Sequence, residues 1–306
     1  MPSQPIGPVV VGVDGAPWNR VAIEYAAREA EQRGTGVRLV HVIPTPVPRP
    51  PLPPVVPAAV RSAGLGILQH AHEAAHTVAP TVEVTTGLAR GPVVEALLRA
   101  AEGASAVVLG HGGDSSRARL WTGSTLTGVS ARAACPTVAV PASWVSASRH
   151  GRVVVGYHSP QHSDELLTPA FEEAARRKAE LVVLHAWTVP SGYADVIEVR
   201  THADDRRRTA LAEIESQLDA FEATFPEVSV RVEVVHGQPA HALVAASRTA
   251  DLLVLGRGRS LLPPRHVGGT ARAVLREGAC PVEIMPSSLH SDLPELTLEE
   301  HGALLP

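Results

Sequence analysis

The chain has 306 residues, of which 44% are hydrophobic and 19% are charged, and its formal net charge is −4. This length suggests two domains of ordinary size, and the balance of apolar and charged residues is typical of a folded globular protein rather than a disordered one. The slightly negative charge and the 3% aromatic content argue against a nucleic-acid-binding face, an anionic membrane as partner and stacking platforms for single strands.

Cysteine content and targeting signals indicate the cellular compartment of such a chain. The two cysteines, Cys135 and Cys280, do not make a disulfide framework or a metal cluster, and they suit a reduced compartment. The N-terminus lacks a basic segment followed by a long apolar run, and no apolar run reaches the roughly 18 residues that span a bilayer. We expect a cytoplasmic protein that has neither nucleic acid nor membrane as a partner.

Short apolar runs rich in β-branched residues predict strands. In chain order they lie at 9–15, 38–44, 106–112 and 134–141 in the first half, and at 153–159, 181–187, 252–258 and 279–286 in the second. Their apolar residues are continuous rather than alternating, which is typical of strands covered on both faces. Helical patterns lie between them, so each half predicts the order β-α-β-α-β-α-β-α-β and a parallel sheet with helices on both faces.

The same runs reveal an internal duplication. VVVGVDG returns as VVVGYHS, RLVHVIP as LVVLHAW, AVVLGHG as LLVLGRG, and ACPTVAVP as ACPVEIMP. The repeats keep their order at a spacing of about 145 residues, which is too long for a solenoid unit. We therefore predict two tandem domains, at 1–142 and 151–286, followed by a poorly ordered C-terminal tail at 287–306.

A proline-rich segment and two helical stripes stand out between the predicted strands. The stretch at 43–57 predicts an extended surface loop, because its prolines exclude helix and central strand, and both a spacer and a docking segment fit it. The stripes predict amphipathic helices whose apolar faces, aromatic rings included, pack in the core. Their residues are Leu167, Ala170, Phe171, Ala174 and Ala175, and Leu211, Ile214, Leu218, Phe221 and Phe225.

The glycine-rich stretch GHGGDSSRARLWTGST, at 110–125, joins a predicted strand to a predicted helix. In doubly wound sheets ligands bind beyond the carboxyl ends of the strands, and the free N–H groups of a helix N-terminus suit phosphate. Glycine lets the backbone approach an anion closely, and Ser124 and Thr125 offer hydroxyl donors or caps. The same glycines also fit a loop that only makes the turn, and the lysine of a P-loop is absent.

The spacing within this stretch resembles that of nucleotide-binding members of the universal stress protein family. Gly110 is followed after two residues by Gly113 and after nine more by Gly123-Ser124, and GVDG at 12–15 and ACPTVAVP at 134–141 also look like that family. The resemblance covers almost the whole chain. It implies two tandem Rossmann-like (flavodoxin-like) α/β domains, each a five-stranded parallel sheet of order 3-2-1-4-5 with helices on both faces.

The resemblance also implies a ligand and a role. The ligand is ATP or a related adenine nucleotide, with or without Mg²⁺, and the role is stress-response regulation with no dedicated catalysis and at most slow ATP hydrolysis. Asp14 is expected at the adenosine end. The alternative is a turn-capping aspartate in an Asp-Gly turn, and one residue could do both. The other implied contacts are the Val42 backbone at the adenine, Gly110 and His111 near the ribose and first phosphate, and Gly113, Gly123, Ser124 and Thr125 around the phosphates.

The second copy departs from this pattern. His158 stands in place of Asp14, Ala186 in place of Val42, and Arg259 in place of Gly113. A possible second site therefore consists of Gly256, Arg259, Gly269 and Thr270, and we expect its nucleotide binding to be weak, altered or absent. By analogy with the family, the two halves are expected to pair through their last strands as a pseudo-dimer, and a homodimer is a further possibility.

Other chemistry fits the sequence less well, and we predict neither catalytic residues nor metal ligands. His72 and His76 lie one turn apart on a predicted helix but lack a third ligand, so a solvated helix face explains them. An ATP-dependent adenylating enzyme on this fold usually carries an S-G-G-x-D-S loop where this chain reads GVDGAPWN, at 12–19. A slow ATPase, an ATP-dependent enzyme and a scaffold without ligand remain as alternatives.

Overall fold

The computed structural model describes residues 6–44, 57–112, 125–159, 164–189, 192–258 and 266–286, with backbone alone at 164 and 192–201. Most of the predicted proline-rich loop, the predicted phosphate-binding residues Gly113, Gly123 and Ser124, the second-copy residue Arg259 and the predicted tail lie outside the described residues.

The first half alternates strands and helices. Its elements are β1 (Val9–Gly12), α1 (Asn19–Arg33), β2 (Val37–Ile43), α2 (Ala58–Val78), β3 (Val84–Arg90), α3 (Val93–Ala100), β4 (Ala106–His111), α4 (described at 125–130) and β5 (Thr137–Pro141). The first helix ends where Gly34 adopts a φ of 64°, a left-handed conformation that closes a helix at little cost for glycine.

The second half repeats the alternation. Its elements are β6 (Arg152–Tyr157), α5 (Asp164–Arg177), β7 (Glu180–Trp187), α6 (Gly192–Thr224), β8 (Val230–His236), α7 (Pro239–Ala246), a 3₁₀ turn (Ser247–Thr249), β9 (Leu252–Gly256), α8 (Gly269–Glu277) and β10 (Val282–Met285). The rings of Phe221 and Phe225 on α6 stack against Phe171 on α5, with centroids 5.4 and 5.5 Å apart. The two predicted stripes therefore pack together, and their core role is confirmed.

The described strands form one ten-stranded sheet in the order β3-β2-β1-β4-β5-β10-β9-β6-β7-β8. All neighbours within a half are parallel, whereas β5 and β10 pair antiparallel, with Val138 opposite Glu283. The strand order of the first half is thus 3-2-1-4-5, and the second half repeats it in mirror sequence. The predicted α/β class with two tandem domains is confirmed. None of the helices in the described ranges is both long and apolar enough to cross a membrane.

The two faces of the sheet join the halves in different ways. On one face a single apolar core runs across the junction, since Val10, Leu109 and Ala139 belong to the same buried cluster as Leu253 and Val282. Each half keeps a separate apolar core on the opposite face, around α1 and α2 or around α5 and α6. Helices on both faces explain why the central strands are mostly apolar, whereas the edge strands β3 and β8 carry exposed polar residues.

Ionisable side chains fill the junction on that opposite face. We call them the interdomain ion cluster, and they are Glu29 and Arg33 of α1, Glu173, Arg176 and Arg177 of α5, and Glu283 of β10. Arg33 lies 2.9 Å from Glu173, and Arg177 pairs in the reverse direction with Glu29. The side chains of these two glutamates are only 4% exposed. The duplicated Glu-x-x-x-Arg pattern of α1 and α5 thus produces reciprocal ion pairs between the halves.

Candidate functional site

The carboxyl ends of the central strands meet at one edge of the sheet in each half. In the first half Gly12 of β1 lies between Val40 of β2 and Leu109 of β4. From this row the chain continues from β1 to β2 on one side and from β4 to β5 on the other. A divergence of this kind is the switch point at which doubly wound sheets bind ligands. Asp14, Val42 and His111 each stand two residues beyond that row, so the fold brings three predicted site residues to neighbouring strand ends.

Asp14 serves the turn after β1 and is also exposed. Its Oδ1 accepts the N–H of Ala16 at 3.0 Å, as a turn-capping aspartate does. The carboxylate as a whole remains exposed at the edge of the crevice. Both interpretations of Asp14 are therefore compatible with its geometry, since one oxygen closes the turn while the group stays accessible.

Asn19, which the sequence did not single out, holds this loop in place. Its side chain is buried, and its Oδ1 accepts the N–H groups of Asp14 and Gly15 at 2.8 and 2.9 Å. A buried amide that accepts two backbone donors fixes a loop more strongly than a single cap. The available signal was an asparagine at the first position of a helix, a residue type that commonly accepts loop and helix N–H groups.

The second strand end is held by a histidine that recurs in both halves. The Nδ1 atom of His41 lies 2.8 Å from the carbonyl oxygen of Val13, and that of His185 lies 3.3 Å from the carbonyl oxygen of Tyr157. Each imidazole therefore links the second strand of its half to the first, at matching positions of the duplicated sequence. Val42, next to His41, is buried in β2.

Gly110 is required by packing at the end of β4. A Cβ atom at this position would lie 2.6 Å from the carbonyl oxygen of Trp18, at the start of α1. The glycine thus lets α1 approach the strand end, whether or not a ligand binds there. His111 is buried, and burial lowers the pKa of its imidazole, so the ring is neutral at pH 7. Thr125 is the first described residue of α4.

The second half contains a cavity of about 510 Å³ at the corresponding place. It lies where β6, β7 and β9 end and where α8 begins, and its wall is mostly apolar, with Leu184, Leu243 and Leu255 among its residues. A Cβ atom at Gly256 or at Gly269 would meet no atom within 4 Å. The strand-end glycine of this half therefore borders open space, in contrast to Gly110.

Arg257 is a second residue that the sequence analysis did not single out. It stands where His111 stands in the first half, lines the cavity and is 7% exposed. Its Nη2 donates to the carbonyl oxygen of Ala133 in the first half, and its own carbonyl accepts the N–H of Gly268 at 3.1 Å. The alignment of Arg257 with His111 in the duplicated sequence was the signal from which this position could have been found.

The described residues offer neither a metal site nor a reactive thiol. Among them, no group of three or more His, Cys, Asp or Glu side chains is arranged to hold a metal ion. The exposed rings of His72 and His76 stack with centroids 6.4 Å apart on α2, in line with a solvated helix face. Burial raises the pKa of the Cys135 thiol and raises that of Cys280 to about 12, so both thiols are protonated at neutral pH.

Comparison with known proteins places the chain in one family. The model of the universal stress protein family matches residues 5–141 and 150–286. The chain belongs to the universal stress protein family. Universal stress protein Rv1996 of Mycobacterium tuberculosis is 31% identical over 300 residues, covering 90% of this chain and 93% of the relative. A universal stress protein of Mycolicibacterium smegmatis is 28% identical over 287 residues, covering 90% and 96%.

Solved structures agree on the architecture. The crystal structure of a universal stress protein from Archaeoglobus fulgidus covers 91% of this chain and 96% of its own, with a TM-score of 0.65 and 18% identity. At this level of identity the likeness establishes the fold. It extends over both halves of this universal stress protein, as the duplicated sequence predicts.

Proposed function

We propose that this universal stress protein is a stress-response regulatory module that binds an adenine nucleotide, ATP, in the crevice of its first half. The observation that carries the proposal is the row of Asp14, Val42 and His111 at the carboxyl ends of three adjacent strands. Family membership and the glycine spacing of the loop after β4 support it. We assign the nucleotide to the first half because the second half replaces Asp14 by His158.

Each residue has a role that its chemistry suits. The exposed Asp14 carboxylate accepts hydrogen bonds from ribose hydroxyls, and the backbone of Val42 meets the adenine. Gly110 and the neutral His111 lie beside the ribose and the first phosphate. The N-terminus of α4 receives the phosphates, because unpaired N–H groups and the helix dipole favour negative charge there. Its proposed residues are Gly113, Gly123, Ser124 and Thr125, of which Thr125 is described.

Magnesium fits this site as part of the nucleotide complex. Mg²⁺ prefers six oxygen ligands and retains several waters, so one or two carboxylates and the phosphates usually suffice. Asp14 brings a carboxylate to the crevice, and its Oδ1 is already used by the Ala16 N–H. We therefore propose that the phosphates and water hold any Mg²⁺ that accompanies ATP.

Regulation fits the described crevice better than dedicated catalysis. The described residues there supply an exposed carboxylate and a buried neutral imidazole, and they pair no nucleophile with a base. Slow ATP hydrolysis is the alternative, and a phosphate-release assay on the purified chain distinguishes it from binding alone.

The role of Asp14 is tested by a substitution that preserves the turn. Asp14→Asn keeps the Oδ1 that accepts the Ala16 N–H but removes the charge, so we expect ATP affinity to fall about tenfold, the size of one charge-assisted hydrogen bond. The matched control is His158→Asn at the equivalent position, which should leave ATP affinity unchanged. Calorimetric titration of ATP into each full-length chain measures both. Equal losses in the two variants contradict the assignment to the first half.

The ligand itself is tested by releasing small molecules from gently purified protein and identifying them by mass spectrometry. We expect an adenine nucleotide, and we expect Gly123→Val to abolish both its recovery and the heat of ATP binding, because the added side chain occupies the phosphate position. A native chain that releases no nucleotide and gives no heat with ATP contradicts the proposed function.

A further inference from the structure

The side chain of Arg257 crosses from the second half to the end of a helix in the first half. Its Nη2 donates a hydrogen bond to the carbonyl oxygen of Ala133. Ala133 closes the last turn after α4, because its own N–H donates to the carbonyl oxygen of Val129 at 2.8 Å. Carbonyl groups at a helix C-terminus lack partners within the helix and carry partial negative charge. Arg257 therefore caps α4 from the other half of the molecule.

The backbone of Arg257 is held as firmly as its side chain. Its N–H donates to the carbonyl oxygen of Met285 on β10 at 3.3 Å, and its carbonyl oxygen accepts the N–H of Gly268 at 3.1 Å. The residue is only 7% exposed. Because the surroundings are apolar, the charge-assisted hydrogen bond to Ala133 is stronger than the same bond in water. Arg257 is thus a stiff link between the sheet of the second half and the end of α4.

The duplicated sequence makes this charged link one-sided. In the first half His111 stands at the position of Arg257, and burial lowers the pKa of its imidazole. A neutral imidazole has no charge with which to stabilise the negative end of a helix. The first half therefore cannot return the same cationic cap to α8, the helix of the second half that matches α4.

Helix α4 connects this link to the nucleotide site that we propose for the first half. Its first described residue, Thr125, is one of the proposed phosphate contacts, and about 12 Å of helix separate it from Ala133. Between them, Leu126 and Val129 are buried in the apolar core that both halves share. A short helix moves as a rigid body, so a shift at its end also moves the N–H groups at its start.

The first half holds the same end of α4 less firmly. Arg132 lies 3.0 Å from Glu95 of α3, but the two side chains are 27% and 44% exposed. Exposed ion pairs contribute little to stability, because water screens them. The contact between Arg257 and Ala133 is buried. The position of α4 therefore depends on the second half as well as on its own.

We propose that Arg257 is a positioning residue for the nucleotide site of the first half: by fixing the end of α4, it sets where the start of that helix meets the phosphates. The inference rests on the proposed function, because it concerns the same site. It gives the second half a task that needs no ligand in its own crevice. It also accounts for a guanidinium that is buried at the junction although its burial is costly.

Binding of ATP and of adenosine to the full-length Arg257→Met variant separates this role from general stability. Methionine fills similar space but has no donor for Ala133, so α4 loses its cap. We expect ATP affinity to fall about tenfold, the size of one hydrogen bond to a charged group. Affinity for adenosine should not change, because adenosine has no phosphate to place. Calorimetric titration of each ligand measures the two affinities.

Two further variants serve as controls. Arg257→Lys keeps a positively charged donor and should retain more ATP affinity than Arg257→Met. Arg276→Met removes an arginine at the far end of α8 whose side chain is 65% exposed, and it should bind both ligands as the native chain does.

Three results would overturn the inference while the native chain still binds ATP, and they leave the proposed function standing. The first is an unchanged ATP affinity in Arg257→Met. The second is an equal loss of ATP and adenosine affinity, which indicates a purely structural role. The third is a loss in Arg276→Met as large as that in Arg257→Met. A native chain that binds no ATP contradicts the proposed function, and this inference falls with it.

Discussion

At the scale of single residues, Glu283 is the titratable group on which the domain junction depends most. Burial and the neighbouring carboxylate of Glu173 raise the pKa of Glu283 to about 8, and Glu29 acts in the same direction. Arg33 and Arg177 oppose this shift, but they are already paired with the two other glutamates. Glu283 is therefore protonated in the folded chain at neutral pH.

This raised pKa predicts how stability changes with pH. The carboxyl titrates near 4.5 when unfolded and near 8 when folded, so its contribution to stability is complete below pH 4.5 and is lost as the pH rises to about 8. Glu283→Gln should remove that loss and raise the free energy of unfolding by at least about 1 kcal/mol at pH 9, with little effect at pH 5. Urea unfolding at both pH values measures this, with the partly exposed Glu233→Gln as control. Equal effects of Glu283→Gln at both pH values contradict the prediction.

Two residues of the site show the limit of sequence reasoning at this scale. Asp14, Val42 and His111 could be placed at the sheet edge, because each lies at or just past the end of a predicted strand. The contacts of Asn19 and Arg257 could not be predicted, because their partners come close only on folding. For such side chains the sequence gives only a weak signal, an asparagine at a helix start or an alignment with His111.

At the scale of elements, the central strands were the most predictable, because a continuous apolar run is typical of a strand buried on both faces. The edge strands β3 and β8 could not be located in this way, because they carry exposed polar residues. The start of α6 at Gly192 was less evident, because the apolar stripe begins only at Leu211, and the preceding turns are rich in charged and small residues. The close approach of α1 to β4 could not be predicted from the sequence either, because it depends on a single glycine.

That nearness predicts a difference between equivalent glycines. Gly110→Ala forces a methyl group against the carbonyl of Trp18, so it should lower the free energy of unfolding by about 1–3 kcal/mol. Gly256→Ala places the same methyl in open space and should change stability by less than about 0.5 kcal/mol. Urea unfolding of the two full-length variants tests the pair. A smaller loss for Gly110→Ala than for Gly256→Ala contradicts the packing argument.

At the scale of the whole molecule, the residues of the junction disfavour the pairing of two second halves. Val138 and Glu283 occupy equivalent positions in the duplicated sequence and lie opposite each other where β5 meets β10. Pairing of two first halves would place valine against valine at this point, whereas pairing of two second halves would bury two carboxyl groups together. A buried pair of like groups is unfavourable.

This asymmetry predicts the behaviour of the halves as separate chains. Residues 1–149 should form a homodimer, and residues 150–306 should stay monomeric at the same concentration unless they carry Glu283→Val, which restores the apolar contact. Sedimentation equilibrium near pH 8 measures the states. Dimerisation of the unmodified second half, as strong as that of the first, would show that Glu283 does not direct pairing.

The antiparallel contact between β5 and β10 has a consequence for access. Because every other strand pair is parallel, the strands of the two halves point in opposite directions, and the two crevices open at opposite ends of the sheet. Two small molecules can therefore enter and leave without passing each other, and neither can cover the entrance used by the other.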